Sequence, residues 1–158
     1  MTSSQHCAPA DSAAATTAAT ATWVIVASRD HARRGLADGF IMANHGKRTP
    51  LARMHPGDGI IIYSPKTKYP DGDLLRAITI VGTVTGAEPE PSDLIANGYR
   101  RRADLREIEP LTLDRVRDHL PTSRLRFGCF DLSPADAAAI WQLIDGAQNH
   151  TSRGRRRR

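Results

Sequence analysis

The apolar positions of this chain gather in short continuous runs, and few of them recur at a helical period. "WVIVAS" (Trp23–Ser28) is unbroken and rich in β-branched residues, which predicts a buried strand. "GIIIYSP" (Gly59–Pro65) predicts a second strand, ended by Pro65 and followed by the turn-rich "KTKYPDGD". There Asp71 and Asp73 flank Gly72, where aspartate is favoured for its local hydrogen bonds. "LLRAITIVGTVTG" (Leu74–Gly86) predicts a third, longer strand, with Gly82 marking a bulge or a barrel corner. "EPEPSD" reads as a turn. "YRRRADLREI" (Tyr99–Ile108) alternates, with Tyr99, Ala103 and Leu105 on one face and Arg100, Arg102, Asp104 and Arg106 on the other. The run Arg100 to Arg102 is accordingly expected as a solvated strand face, with contact to a nucleic-acid backbone as its alternative. "FGCFDL" predicts a last short strand.

Helical signals sit between these runs. Asp30 can cap a short helix reaching about Ala37, with Gly39 as its stop. From Phe40 to Pro56, the residues Gly46, Pro50 and Pro56 predict one long loop, and loops of that length usually carry function or disorder. Leu113, Val116 and Leu120 form the apolar face of a short helix that Pro121 stops. Ser133, Pro134 and Asp136 make a clear helix start, and Ala137, Ile140, Trp141 and Ile144 follow at helical spacing until Gly146 ends it. About five strands with two or three helices at the connections predict an α+β domain with a curved sheet or small barrel.

The chain has 158 residues, a one-domain length. No apolar run approaches the eighteen or so residues of a membrane span, so no membrane partner is expected. Residues 1–22 hold no Lys or Arg and no apolar run, which argues against a secretory signal and predicts a disordered Ala/Thr-rich tail. Cys7 lies in that tail and Cys129 in the apolar setting of the last strand. Reduced thiols in a cytoplasmic protein are therefore expected. The formal net charge of +5 is carried entirely by Arg153 and Arg155 to Arg158, in a second tail (148–158) also expected to be disordered. The segment 23–147 is close to neutral. Such a tail can add salt-sensitive, sequence-blind affinity for phosphates, or it can be a solvated end without a role.

Most enzymatic signatures are missing. There is no CxxC pair, no HExxH, no phosphate loop, no GxGxxG after a strand and no GxSxG elbow. His31, His45 and His55 fall at no ligand spacing, so neither a metal nor a cofactor is expected. Ser28, Ser64 and Cys129 show no partner base that would make a nucleophile.

"WVIVASRDHARRG", "ANHGKRTPLARMHPGDGIIIYSPKTKYPDG", "LRAITIVGTV", "YRRRADL" and "RFGCFDLS" together resemble the single-domain bacterial EVE family, over Trp23 to about Gly146. The resemblance implies a PUA-like fold, a strongly bent mixed sheet closed toward a barrel with helices at the connections. It also implies similarity to the YTH domains, which hold methylated adenine of RNA in an aromatic cage. By that likeness the chain is a non-enzymatic module that binds a modified base in DNA or RNA.

A base read on its Watson–Crick edge must be single-stranded or flipped out, and its pocket needs flat apolar walls with a few aimed polar groups. Candidates stand where strands end and the long loop returns. Ser28 and Arg29 follow the first strand. Asn44, His45, Gly46, Lys47 and Arg48 supply amide, imidazole and cationic groups on one loop, with Gly46 allowing close backbone approach. Tyr63 and Ser64 end the second strand, and Phe127 opens the last. These residues are expected to line one cavity. Each has a plainer alternative: Tyr63 can be core, Asn44 and His45 can cap their own loop, and Trp23 and Trp141 read as core rather than cage. Lys47 and Arg48 suit phosphates beside a flipped base. With eight aromatic residues in all, the chain is poorly supplied for a three-walled tryptophan cage, which argues against methyladenine. Two alternatives remain. One is an enzyme acting on nucleic acid or a nucleotide, built on Lys47, Tyr63 and Asp30. The other is a domain for a small molecule or a protein.

Overall fold

A computed structural model describes residues 20–155, with side chains as far as residue 149. The expected runs become strands β1 (Thr22–Val26), β3 (Gly59–Lys66), β4 (Leu74–Val84), β6 (Tyr99–Thr112) and β7 (Cys129–Asp131). Two short strands join them, β2 (Phe40–Ile41) and β5 (Glu90–Pro91). The helices are α1 (Arg29–Asp38), α2 (Arg48–Ala52), α3 (Leu113–Val116) and α4 (Pro134–Arg155), with a 3-10 helix at Thr122–Phe127. All seven strands form one mixed sheet in the order β2-β6-β4-β3-β1-β7, with β5 added beside β6. β1 and β3 are parallel, in register from Thr22 opposite Gly59 to Val26 opposite Tyr63, and the other pairs are antiparallel.

Both faces of the central strands are covered. Val24, Ile61, Tyr63, Ile78 and Val81 pack on one side against Val116, Leu120, Ile140 and Ile144. Trp23, Ile25, Ile60, Ile62 and Ile80 pack on the other against Ala32, Ile41, Leu51 and Met54. Two-sided burial is why these strands read as unbroken apolar runs rather than alternating ones. Irregular pairing at Ile62/Tyr63, Ser64/Lys66 and Ile78/Ile80 lets the sheet curl toward a half-barrel. The bulge in β4 thus falls at Thr79 and not at Gly82. Gly82 instead allows the close approach of β6, because a Cβ there would collide with the Asp104 carbonyl oxygen. Both tryptophans are structural: Trp23 Nε1 donates to the buried Asp58 carboxylate at 3.0 Å, and the half-buried Trp141 donates to Thr22 Oγ1 at 3.2 Å.

Several local expectations are corrected. Ser28, not Asp30, is the N-cap residue of α1, and Asp30 lies in the first turn. The segment Phe40 to Pro56 is not one loop. Phe40 and Ile41 pair with Arg102 and Arg101, and α2 tolerates Pro50 because the first helical turn needs no partner for that N–H. Gly146 does not end α4, which runs to Arg155. A helical glycine costs only about 1 kcal/mol, and the site is open on all sides. Residues 148–155, expected as a structureless tail, are therefore helical, while residues 1–19 and 156–158, including Cys7, lie outside the described residues.

The largest correction concerns the arginine run on β6. Strict alternation places Arg101 on the Ala103 face, and it is 1% exposed. Its guanidinium donates to the carbonyls of Leu51 and Met54, each at 2.6 Å, to Gly86 at 3.1 and 2.9 Å, and to Ala87 at 3.1 Å. All five N–H groups of the side chain are used. Burial lowers its pKa, while Asp58 and Glu88 act in the opposite sense. Arg102, by contrast, points to solvent beside Glu90.

Arg101→Met removes the buried bonds to Leu51 O and Met54 O, of which Leu51 O keeps the Met54 N–H. An unpaired buried acceptor costs about 1–3 kcal/mol, so the unfolding free energy should fall by about 1–3 kcal/mol. Arg102→Met should change it by no more than about 0.5 kcal/mol, as surface substitutions usually do. Urea unfolding of both variants checks this; equal midpoints would remove Arg101 from its structural role.

Candidate nucleic-acid interface

Four segments converge past the end of β1. Val26 N–H donates to the Gly128 carbonyl at 2.9 Å, and Ala27 N–H to the Tyr63 carbonyl at 3.0 Å, which fixes the β1 exit between β7 and β3. Asp30 N–H donates to Thr67 O at 3.0 Å and ties the β3–β4 hairpin to the start of α1. The hairpin is braced by Lys66 Nζ on Pro70 O at 2.9 Å and by Asp73 N–H on Thr67 Oγ1 at 3.0 Å. The fourth segment follows β2, where Asn44, His45 and Gly46 all have left-handed backbone (φ 48°, 60° and 87°). Asn and His are among the non-glycine residues that tolerate this region, and such runs occur where the surrounding structure enforces them. Enforcement is visible here: Gly46 and Lys47 N–H both donate to Ala43 O, and Gly46 O accepts from Tyr99 N–H at 2.8 Å. A Cβ at Gly46 would press on Gly98 at 3.1 Å.

These segments, with Ile95 of the β5–β6 loop, enclose a cavity of about 520 Å³, within the range of pockets that take small ligands. Its apolar walls come from Val26, Ala27, Met42, Ile95 and Leu125, and its polar groups from Ser28, His31, Asn44 and His45. Lys66 and Arg126 stand at its edge, and so does Tyr69, which is 78% exposed. Ser28 Oγ donates to Asp30 at 2.6 Å, a bond that lowers the Asp30 pKa and leaves the Ser28 oxygen as an acceptor. The Asn44 amide rests against Gly128, where a Cβ would collide with Asn44 Oδ1, and it hydrogen-bonds to none of the described residues. A second cavity of about 510 Å³ lies on the other side of Asn44, lined by Lys47, Arg53, Arg124, Phe127 and Cys129.

The ten residues expected in one cavity are therefore divided. Ser28, Asn44, His45 and Gly46 line the first cavity, and Lys47 and Phe127 line the second with Asn44. Arg48 sits over the Tyr99 ring at 5.9 Å, beside a separate cleft. Arg29 pairs with Glu107 at 3.3 Å, away from both; burial pushes the Glu107 carboxyl up, but hydrogen bonds from Arg33 and Arg29 outweigh this and lower its pKa. Tyr63 and Ser64 are corrections. Tyr63 is 3% exposed inside the core on the α4 side, with its pKa raised by burial, and Ser64 is buried against Thr79 at 2.8 Å. In a sheet covered on both faces, the residues that end an apolar strand still point into packing. The set Lys47, Tyr63 and Asp30 is not assembled either, because each lies in a different setting.

Tyr69, Met42, Leu125 and Arg126 were not expected at the site. An aromatic inside the polar turn "KTKYPDGD" is a usable signal for Tyr69; the 3-10 helix that delivers Leu125 and Arg126 leaves no sequence pattern of its own. The Cys129 thiol is pushed up by burial to about 12, which makes it a poor nucleophile. No group of three or more His, Cys, Asp or Glu among the described residues could hold a metal. No described helix is long and apolar enough to cross a membrane.

The chain is similar to a UPF0310 protein of Renibacterium salmoninarum, 37% identical over 131 residues, covering 77% of this chain and 94% of that one. Among solved structures it is similar to the human THYN1 protein in complex with 5-methylcytosine-containing DNA (TM-score 0.53, 9% identity, 79% and 98% covered). It is also similar to the YTH domain of the Zygosaccharomyces rouxii MRB1 protein in complex with N6-methyladenosine RNA (TM-score 0.56, 10% identity, 79% and 84% covered). These likenesses establish the PUA-like architecture. The model of the EVE domain matches residues 21–143, and the chain belongs to the EVE domain family.

Proposed function

We propose that this protein is a non-enzymatic binding module that takes one modified base of DNA or RNA, single-stranded or flipped out, into the 520 Å³ cavity. The observation that carries this reading is one cavity lined by apolar walls, an unengaged Asn44 amide and an exposed Tyr69 side chain. Such a pocket suits a flat aromatic ligand with polar edges. Lys66 and Arg126 at the edge suit the flanking phosphates, which position a strand without reading its sequence. Support also comes from the two architectural relatives, which were solved with methylated nucleic acid. A free Cys129 suits a cytoplasmic setting.

The test is fluorescence anisotropy with short single strands of DNA and RNA carrying 5-methylcytosine or N6-methyladenine, against plain strands. One modified strand should bind more tightly than its plain counterpart. Because base–aromatic stacking is worth about 1–3 kcal/mol, Tyr69→Ala should weaken that strand about five- to a hundredfold, and Tyr69→Phe far less. Tyr63→Ala should instead destabilise the fold, by about 3–5 kcal/mol, as large core truncations do. A folded Tyr69→Ala protein that binds every strand like the wild type would refute the pocket assignment.

The arginine-rich end supplies a second, independent prediction. Its removal after Gln148 leaves Ile144, the last buried residue of α4 among the described side chains, in place. The truncated protein should keep its melting temperature and its ratio of modified to plain affinity. It should bind all strands more weakly, with a salt slope flatter by up to about 0.7 per arginine lost. A collapse of the ratio would make this segment part of the reader.

A further inference from the structure

The second cavity shares a wall with the first. Asn44 lines both, its amide seated on Gly128, and the segment around it divides between them. Leu125, Arg126 and Gly128 face the first cavity, while Phe127 and Cys129 face the second. Phe127 belongs to neither core cluster and is 53% exposed, with Arg126 over its ring at 5.0 Å. Its ring is thus open to a ligand that stacks in this cavity.

Charge distinguishes this cavity from an apolar groove. Lys47, Arg53 and Arg124 border it, against one carboxylate, Asp131, which lies 3.7 Å from Arg124. Arg53 is held over the Trp23 ring at 5.4 Å, and Lys47 pairs with no carboxylate of the described residues. Cations and an exposed ring in one lining, beside a cavity that shares Asn44 with it, are the elements of a stacking platform for single-stranded nucleic acid.

We propose that the protein engages two consecutive nucleotides of a single strand: the base in the first cavity, and its neighbour stacked on Phe127 in the second. Lys47, Arg53 and Arg124 hold phosphate there. Asn44 is the partition between the two bases, and its amide can bond to either edge. This rests on the proposed function and adds to it a requirement that the neighbouring base also be unpaired.

The test uses short single-stranded DNAs with one central 5-methylcytosine or N6-methyladenine, intact or with an abasic residue at the 5′ or the 3′ neighbour. Wild-type protein should bind one of the two abasic strands about five- to a hundredfold more weakly than the intact strand, the usual worth of one stacked base. Phe127→Ala should bind the intact strand weakly by a similar factor and no longer distinguish it from that abasic strand. Tyr69→Ala should still distinguish them. Phe127 is exposed, so its variant should melt like the wild type. If both abasic strands bind as the intact one while Tyr69→Ala still loses affinity, the protein reads one base and the second subsite is wrong. A Phe127→Ala loss equal on intact and abasic strands would also overturn it, assigning the ring to another partner. If wild-type protein binds no strand at all, the base pocket itself fails, and the subsite falls with it.

Discussion

A single guanidinium organises this domain. Arg101 projects from β6 into a space framed by the end of α2, the turn after it and the exit of β4, and its five N–H groups meet the carbonyls of Leu51, Met54, Gly86 and Ala87. Taking an unpaired cation out of water costs several kcal/mol, so this arrangement persists only because every donor is satisfied. Lysine, with three donors on a flexible stem, could not reproduce the planar fork. The same strand holds the rest of the segment: Ala103 N–H meets Gly39 O and Tyr99 N–H meets Gly46 O. Asn44 is thus presented by a segment fastened to β6 at both ends.

Placing helices against both faces of the central sheet has a functional price. Strand side chains that would form a cup in a one-sided barrel are consumed by packing, Tyr63 among them. The cavity is left to what lies beyond the strand ends: a left-handed loop, a braced hairpin and a 3-10 corner. Their side chains can vary without disturbing the core, whereas their backbones are tied by hydrogen bonds to one another and to the sheet. Rigid backbone with free side-chain chemistry is what a selective pocket requires.

The strands were legible wherever burial on both faces left an unbroken apolar run, as in β1, β3 and β4. Helix starts were legible where a serine precedes a proline, and Ser133 Oγ does accept from Asp136 N–H at 3.2 Å. What escaped reading depends on partners distant in sequence. Nothing local tells Arg101 from Arg102, because the distinction lies in carbonyls as many as 50 residues away. Tyr63 misled because the end of an apolar run looks like a rim, although the sheet's second covering layer is supplied by a helix more than 70 residues later. Of the residues that line the first cavity, Ser28 and the Asn44 to Gly46 turn were legible, the turn through its composition, whereas Tyr69 was hidden in a hairpin treated as mere connection.

The dependence of residues 39–54 on β6 also sets an order of events in synthesis. At about 5–20 residues per second, the codon for Arg101 is reached roughly 3–11 s after that for Gly46. Throughout that interval the Asn44 to Gly46 turn exists without the strand that fixes it, and its left-handed residues have only the local bonds to Ala43 O to hold them. Contacts this far apart close late and together, because loop entropy must be met before any of them is rewarded. The cavity therefore matures with the whole domain, and a partly made chain carries its lining residues but not the shape that makes them a cavity.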